Sequence, residues 1–94
     1  MHQSVIERRL FEVSARLRRS RDELGVLDEQ LSALSEAVDE AQVKALVSET
    51  PVAQRELHEA RRHAQAMARG RTALVARMAE LERAQDELLG KIVL

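Results

Sequence analysis

The stretch His58-Glu59-Ala60-Arg61-Arg62-His63 holds the residue types of a zinc-protease helix. That chemistry needs two histidines at i and i+4, so that both rings face one metal, with a glutamate beside the first. Here the histidines stand at i and i+5, which turns their rings roughly 140° apart around a helix. Glu59 and His63 do stand at i and i+4, and would hold a metal weakly. The segment reads better as a solvated helical face, so neither a metal nor any other cofactor is expected. Cysteine is absent, which removes thiolate catalysis, Cys-based metal sites and disulfides. The three glycines are isolated at 25, 70 and 90, so no Gly-rich loop cradles a phosphate. Acids are plentiful, yet a general acid or base needs a carboxylate in a pocket that moves its pKa. Nothing in the pattern builds such a pocket, so no catalytic residue is assigned and an enzyme is not expected.

The stretch from Arg8 to Arg21, RRLFEVSARLRRSR, is a candidate for a different chemistry. It is basic and helical in pattern, and it feeds into Leu24, Leu27, Leu31 and Leu34 as a DNA-binding basic region feeds into a zipper. Three features weigh against nucleic acid. Leu10, Val13 and Leu17 carry the apolar repeat straight through the basic stretch, no Asn stands there to read a base, and the chain's net charge is −1. A slightly acidic protein has little electrostatic affinity for phosphates. Ser48-Glu49-Thr50-Pro51 matches a Ser/Thr-Pro phosphorylation pattern, but helix capping accounts for the same residues.

What must position all of these residues is helix. The chain has 94 residues, one aromatic (Phe11), three glycines and one proline, with 33% charged residues. Such a composition with regular spacing marks long helices or a coiled coil. The length suits one domain, 1–94. Charge appears by Glu7, so the start has no apolar core of signal-peptide length. No uncharged run approaches the roughly 18 residues of a membrane span. A soluble, cytoplasmic protein with no membrane contact is expected.

Two seams can be counted. In the first helix the a positions are Gln3, Leu10, Leu17, Leu24, Leu31, Val38 and Ala45, and the d positions are Ile6, Val13, Ser20, Leu27, Leu34, Ala41 and Ser48. In the second the a positions are Leu57, Ala64, Arg71, Met78, Gln85 and Ile92, and the d positions are Ala53, Ala60, Met67, Leu74, Leu81 and Leu88. A strict seven-residue repeat gives a left-handed coiled coil, because the apolar stripe must keep facing one partner. Arg71 and Gln85 are polar seam residues, read as setting register at some cost in stability. The Ala-rich stretch at Ala60 and Ala64 is expected to be the narrow part of the pair.

Pro51 separates the seams. Thr50 suits an N-cap and Pro51 suits the first helical position, where a missing N–H costs nothing. The two seams are also five residues out of step, which a continuous coil does not absorb readily. Against this, Val43, Leu46 and Thr50 already lie in the phase of Ala53 and Leu57, as a kinked continuous helix would require. Under the hairpin, Val43, Leu46, Val47 and Val52 would instead close the end of the core. No glycine offers a C-cap for the first helix.

Charge favours the hairpin, although the same pairing would also serve an antiparallel dimer of two straight helices. Residues 1–21 carry six Arg and two Glu, 22–49 eight acids and Lys44, 50–79 six Arg and two Glu, and 80–94 four acids and two bases. Folding near Thr50 sets residue i opposite roughly residue 100 − i, and opposite signs then meet along the length. The expected fold is all-α, an antiparallel two-helix coiled-coil hairpin with helix 1 at about 2–47, a turn at about 48–50 and helix 2 at about 51–89. The rods would be roughly 60–70 Å long. A lone hairpin has almost no core, so two are expected to pair into a four-helix bundle.

This architecture resembles small helical hairpins that serve as secretion partners, chaperone-like adaptors or RNA-polymerase-channel regulators. The turn has no Trp-x-Gly, the tip carries Glu49 rather than a cluster of acids, and there is no CxxC, so no family is assigned. The expected function is a non-enzymatic protein–protein interaction module, a homodimer that also binds another protein. Phe11, Val26 and Val47, off the first seam, are the candidate partner contacts. Ala68, Val75 and Leu89, at e positions beside the second, are the candidate dimer contacts. The alternative is a transcription-associated regulator using the Arg8–Arg21 surface.

Overall fold

The computed structural model describes residues 2–93; the end residues of the expected 1–94 domain lie outside them. It is an all-helical hairpin of α1, His2–Ser48, and α2, Pro51–Val93. The kinked continuous helix is ruled out, because the helical run ends at Ser48 and restarts at Pro51. Helix α2 continues past the Leu89 at which the sequence suggested it would end.

The reversal takes two residues. Glu49 stands in the left-handed region, at φ 48°, and its N–H donates to the Ala45 carbonyl at 3.1 Å. This single bond closes α1 in the way usually made by glycine. Thr50 then starts α2. Its side-chain Oγ1 accepts from the Ala53 N–H at 3.1 Å, and its carbonyl accepts from the Gln54 N–H at 3.1 Å. Thr50 is therefore the N-cap and Pro51 the first helical residue, as their chemistry favours.

Burial follows the two seams. Every seam position from Ile6 to Ala45 in α1 and from Ala53 to Ile92 in α2 is buried or half-buried. At the ends of the α1 seam, Gln3 and Ser48 are exposed. Two compact units divide the pair, Met1–Gly25 with Ala73–Leu94, and Val26–Thr72. In the first, Leu17 and Leu74 are each 1% exposed. In the second, the buried cluster is Ala45, Ala53 and Leu57, with Val38 and Ala41 packed on it. The fully buried residues of this unit lie next to the turn, while Ala60 and Ala64, where the narrow part was expected, are half-buried.

The end of that core is not closed as the sequence suggested. Val43, Leu46, Val47 and Val52 are 61%, 72%, 79% and 54% exposed. The phase of α1 holds through Ala45, so Val43, Leu46 and Val47 fall at its f, b and c positions and point away from α2. A turn of two residues leaves no span over which the seam could shift.

The turn should respond to substitution in opposite directions. Thr50→Ala removes the cap and should cost about 1 kcal/mol. Glu49→Gly should stabilise by up to about 1 kcal/mol, because a left-handed backbone costs most side chains ~1–2 kcal/mol and glycine recovers part of it. Urea unfolding at fixed protein concentration measures both; a destabilised Glu49→Gly would contradict this account of the turn.

Candidate functional site

The polar seam residues each meet the opposite helix. Arg71 comes from the a row of α2, in the Val26–Thr72 unit. Its Nε–H donates to Asp28 Oδ1 at 2.6 Å. Both side chains remain nearly half exposed. The hydrogen bond to Asp28, and then the attraction of its charge, raise the Arg71 guanidinium above its ordinary value. Gln85, in the other unit, donates from Nε2 to Ser14 Oγ at 3.0 Å. Each of these pairs ties one residue of α2 to one residue of α1.

The mirrored charge blocks make fewer contacts than their pattern suggests. Among the described residues two ion pairs form, Asp28–Arg71 and Lys44–Glu56, the latter at 3.8 Å with both side chains at least half exposed. Glu36, Asp39 and Glu40 make no ion pair with Arg61, Arg62 or His63, nor do Arg16, Arg18, Arg19 and Arg21 with Glu80, Glu82, Asp86 and Glu87. The blocks are long solvated arms, and exposed arms gain little from closing on one another.

His58, Glu59 and His63 are all exposed on α2. Glu59 and His63 line a shallow groove with Arg62 and Arg69, all from that one helix. Among the described residues no group of three or more His, Asp or Glu gathers that could hold a metal.

The candidate contact residues are exposed and widely spaced along each helix. Phe11, 78% exposed, belongs to one unit, while Val26 and Val47 belong to the other and lie three heptads apart along α1. Val75 and Leu89, 40% and 44% exposed, are two heptads apart on α2, and Ala68 is exposed one heptad before Val75. Around Val47, by contrast, there is a true patch. Val43, Leu46 and Val47 stand at i, i+3 and i+4, adjacent on one helix face. Beside them runs a groove lined by Ala37, Ala41, Val43 and Val47 and by the polar Glu40, Lys44, Ser48 and Glu56. Of these three, the sequence names only Val47 as a partner contact and sets Val43 and Leu46 at the end of the core. The α1 register was the signal for the rest, since positions f, b and c face outward.

Among the described residues no helix is long and apolar enough to cross a membrane. Comparison with protein-family models, with curated proteins and with solved structures finds no significant match to this chain.

Replacing Arg71 by Leu should raise the urea midpoint. A leucine fills an a position, and Asp28 is exposed enough to be hydrated when it loses its partner. A group whose pKa is raised on folding contributes fully below its unfolded value, which for an arginine lies far above neutral. Its contribution is lost only as pH rises through the higher folded value, so the arginine's part is constant across the neutral range. A midpoint lowered by Arg71→Leu would show that the ion pair outweighs apolar packing at this position.

Proposed function

We propose that the chain is a non-enzymatic interaction module, a helical hairpin that pairs with a second copy of itself and docks another protein in the cytoplasm. The observation that carries this reading is the mismatch between its inside and its outside. Among the described residues five hydrophobics are buried, while nine large hydrophobics are exposed. A single seam offers little apolar burial to offset the ordering of so many helical residues. A second hairpin laid along the e positions of α2 would cover Ala68, Val75 and Leu89 and complete a four-helix bundle. Substituting Val75→Glu with Leu89→Glu should turn the dimer into a monomer, and light scattering reads the mass directly. A double variant that stays dimeric would remove these residues from the interface.

One observation favours a second reading, a transcription-associated regulator. Arg8, Arg9, Arg16, Arg18, Arg19 and Arg21 are all exposed, and none enters an ion pair among the described residues. Such a surface can reach phosphates, although Glu7, Glu12, Asp22 and Glu23 are exposed on the same helix. A mobility-shift assay at low and high salt separates the two readings, because binding through several phosphate contacts weakens steeply with salt. The interaction-module reading expects no shift at either salt.

A further inference from the structure

The interaction reading leaves open where the other protein docks and what its surface is like. The tip answers both. Of the nine exposed large hydrophobics, four lie between residues 43 and 52, namely Val43, Leu46, Val47 and Val52. The first three form one face of α1, and the groove lined by Ala37, Ala41, Val43 and Val47 runs beside it. No other three of the nine stand at i, i+3 and i+4 on one helix.

The surroundings of this face carry a definite charge. Between residues 36 and 56 stand Glu36, Asp39, Glu40, Glu49 and Glu56 against Lys44 and Arg55, five acids and two bases, or −3. All seven are exposed. Lys44 is engaged by Glu56 at 3.8 Å. Glu36, Asp39 and Glu40 lie one and two turns before Val43 on its own side of α1, so they flank the apolar face at one end.

We infer that this tip face is the docking site for an amphipathic helix of a partner protein, with aliphatic anchors at i, i+3 or i+4 spacing and Lys or Arg at one end. The anchors fill the groove and cover Val43, Leu46 and Val47. The basic end meets Glu36, Asp39 and Glu40. A helix laid in an apolar groove is a common recognition mode, and charge complementarity sets its orientation and its rate of association. An anionic lipid surface or a nucleic acid would be repelled by the same acids. A second copy is a poorer occupant. The basic stretch of α1 has Leu10, Val13 and Leu17 committed to its own seam and offers Phe11 as its one exposed large apolar side chain.

The site rests on the interaction reading, and the two fail separately. Light scattering reports self-association without any peptide, and peptide binding reports the tip whatever the assembly state. The probe is a fluorescent synthetic helix of about 18 residues, built from Leu and Lys with Leu at i, i+3, i+4 and i+7, with a Leu/Glu peptide of the same pattern as its counterpart. Anisotropy should show the Leu/Lys helix binding the full chain and the Leu/Glu helix not binding. Leu46→Gln with Val47→Gln should raise the Kd about tenfold or more, as loss of central apolar anchors does. Glu36→Gln, Asp39→Asn and Glu40→Gln together should weaken binding about three- to tenfold at low salt and much less at high salt. Glu80→Gln, Glu82→Gln and Glu87→Gln remove the same charge elsewhere and should leave the Kd unchanged. Circular dichroism checks that helix is retained, and Val47→Gln alone serves if the double variant loses it. Equal effects of the two charge variants, or no effect of the apolar variant, would overturn the assignment. So would a fall in the protein's own mass on Leu46→Gln with Val47→Gln, which would make the face a self-contact.

Discussion

The structure depends on the reversal at Glu49 and Thr50. Two residues turn the chain, and the register between α1 and α2 is then fixed from the tip outward. Lys44 is set near Glu56 and Asp28 near Arg71 because equal rise along antiparallel helices keeps residue i near roughly 100 − i. The reversal carries a strain, since Glu49 occupies a left-handed backbone without being glycine. It is held by the bond from its N–H to Ala45 on one side and by the Thr50 cap on the other. Small residues must flank so tight a turn, and the buried seam positions nearest to it on each side are indeed Ala45 and Ala53, at 3% and 5% exposure.

Beyond the tip, the apolar repeat supplies cohesion, and the charges agree with the register that the turn sets. A helix paired with one neighbour buries one stripe, which here is the a and d rows and little else. The alternating charge blocks act differently. Few of them close into ion pairs, so their energetic weight is small. The two-residue turn already forces the antiparallel sense; the sign pattern agrees with it, since shifted pairings would bring like blocks together, and like charges side by side are unfavourable at any effective dielectric.

Much of this was legible in the sequence, for a physical reason. A heptad repeat fixes which side chains face the partner, and Thr50-Pro51 has one low-energy use at a helix start. The residues of the seam and the cap could therefore be named one by one. The end of α1 was harder, because its C-cap is a backbone conformation taken by Glu49, a residue with no compositional mark of it. Individual ion pairs were also beyond reach. Phase places Asp28 and Arg71 opposite, and it equally places Glu36, Asp39 and Glu40 opposite Arg61 and Arg62, but whether flexible arms touch depends on rotamers and solvation. The tip is a different case. Hydrophobicity draws Val43, Leu46 and Val47 toward the core, whereas the f, b and c positions of α1 place them outside.

That conflict between register and residue type is informative. Outward positions of an exposed helix are best filled by Ala, Glu, Lys, Gln or Arg, which favour helix and keep it hydrated. Valine is β-branched and loses side-chain freedom in a helix, and exposed leucine leaves apolar surface in water. Val43, Leu46 and Val47 therefore give the hairpin neither propensity nor core. Val26, alone and distant on the same helix, shows that a single such residue is tolerated. Three in adjacent turns beside a groove, with acids at one end, amount to a consistent departure from what the fold alone would choose. Where a sequence otherwise agrees with its fold at every level, departures of this kind are expected at sites of function. Among the surfaces of this protein, the tip is where the fold and the sequence disagree most, and that disagreement is the physical ground for reading it as a docking face.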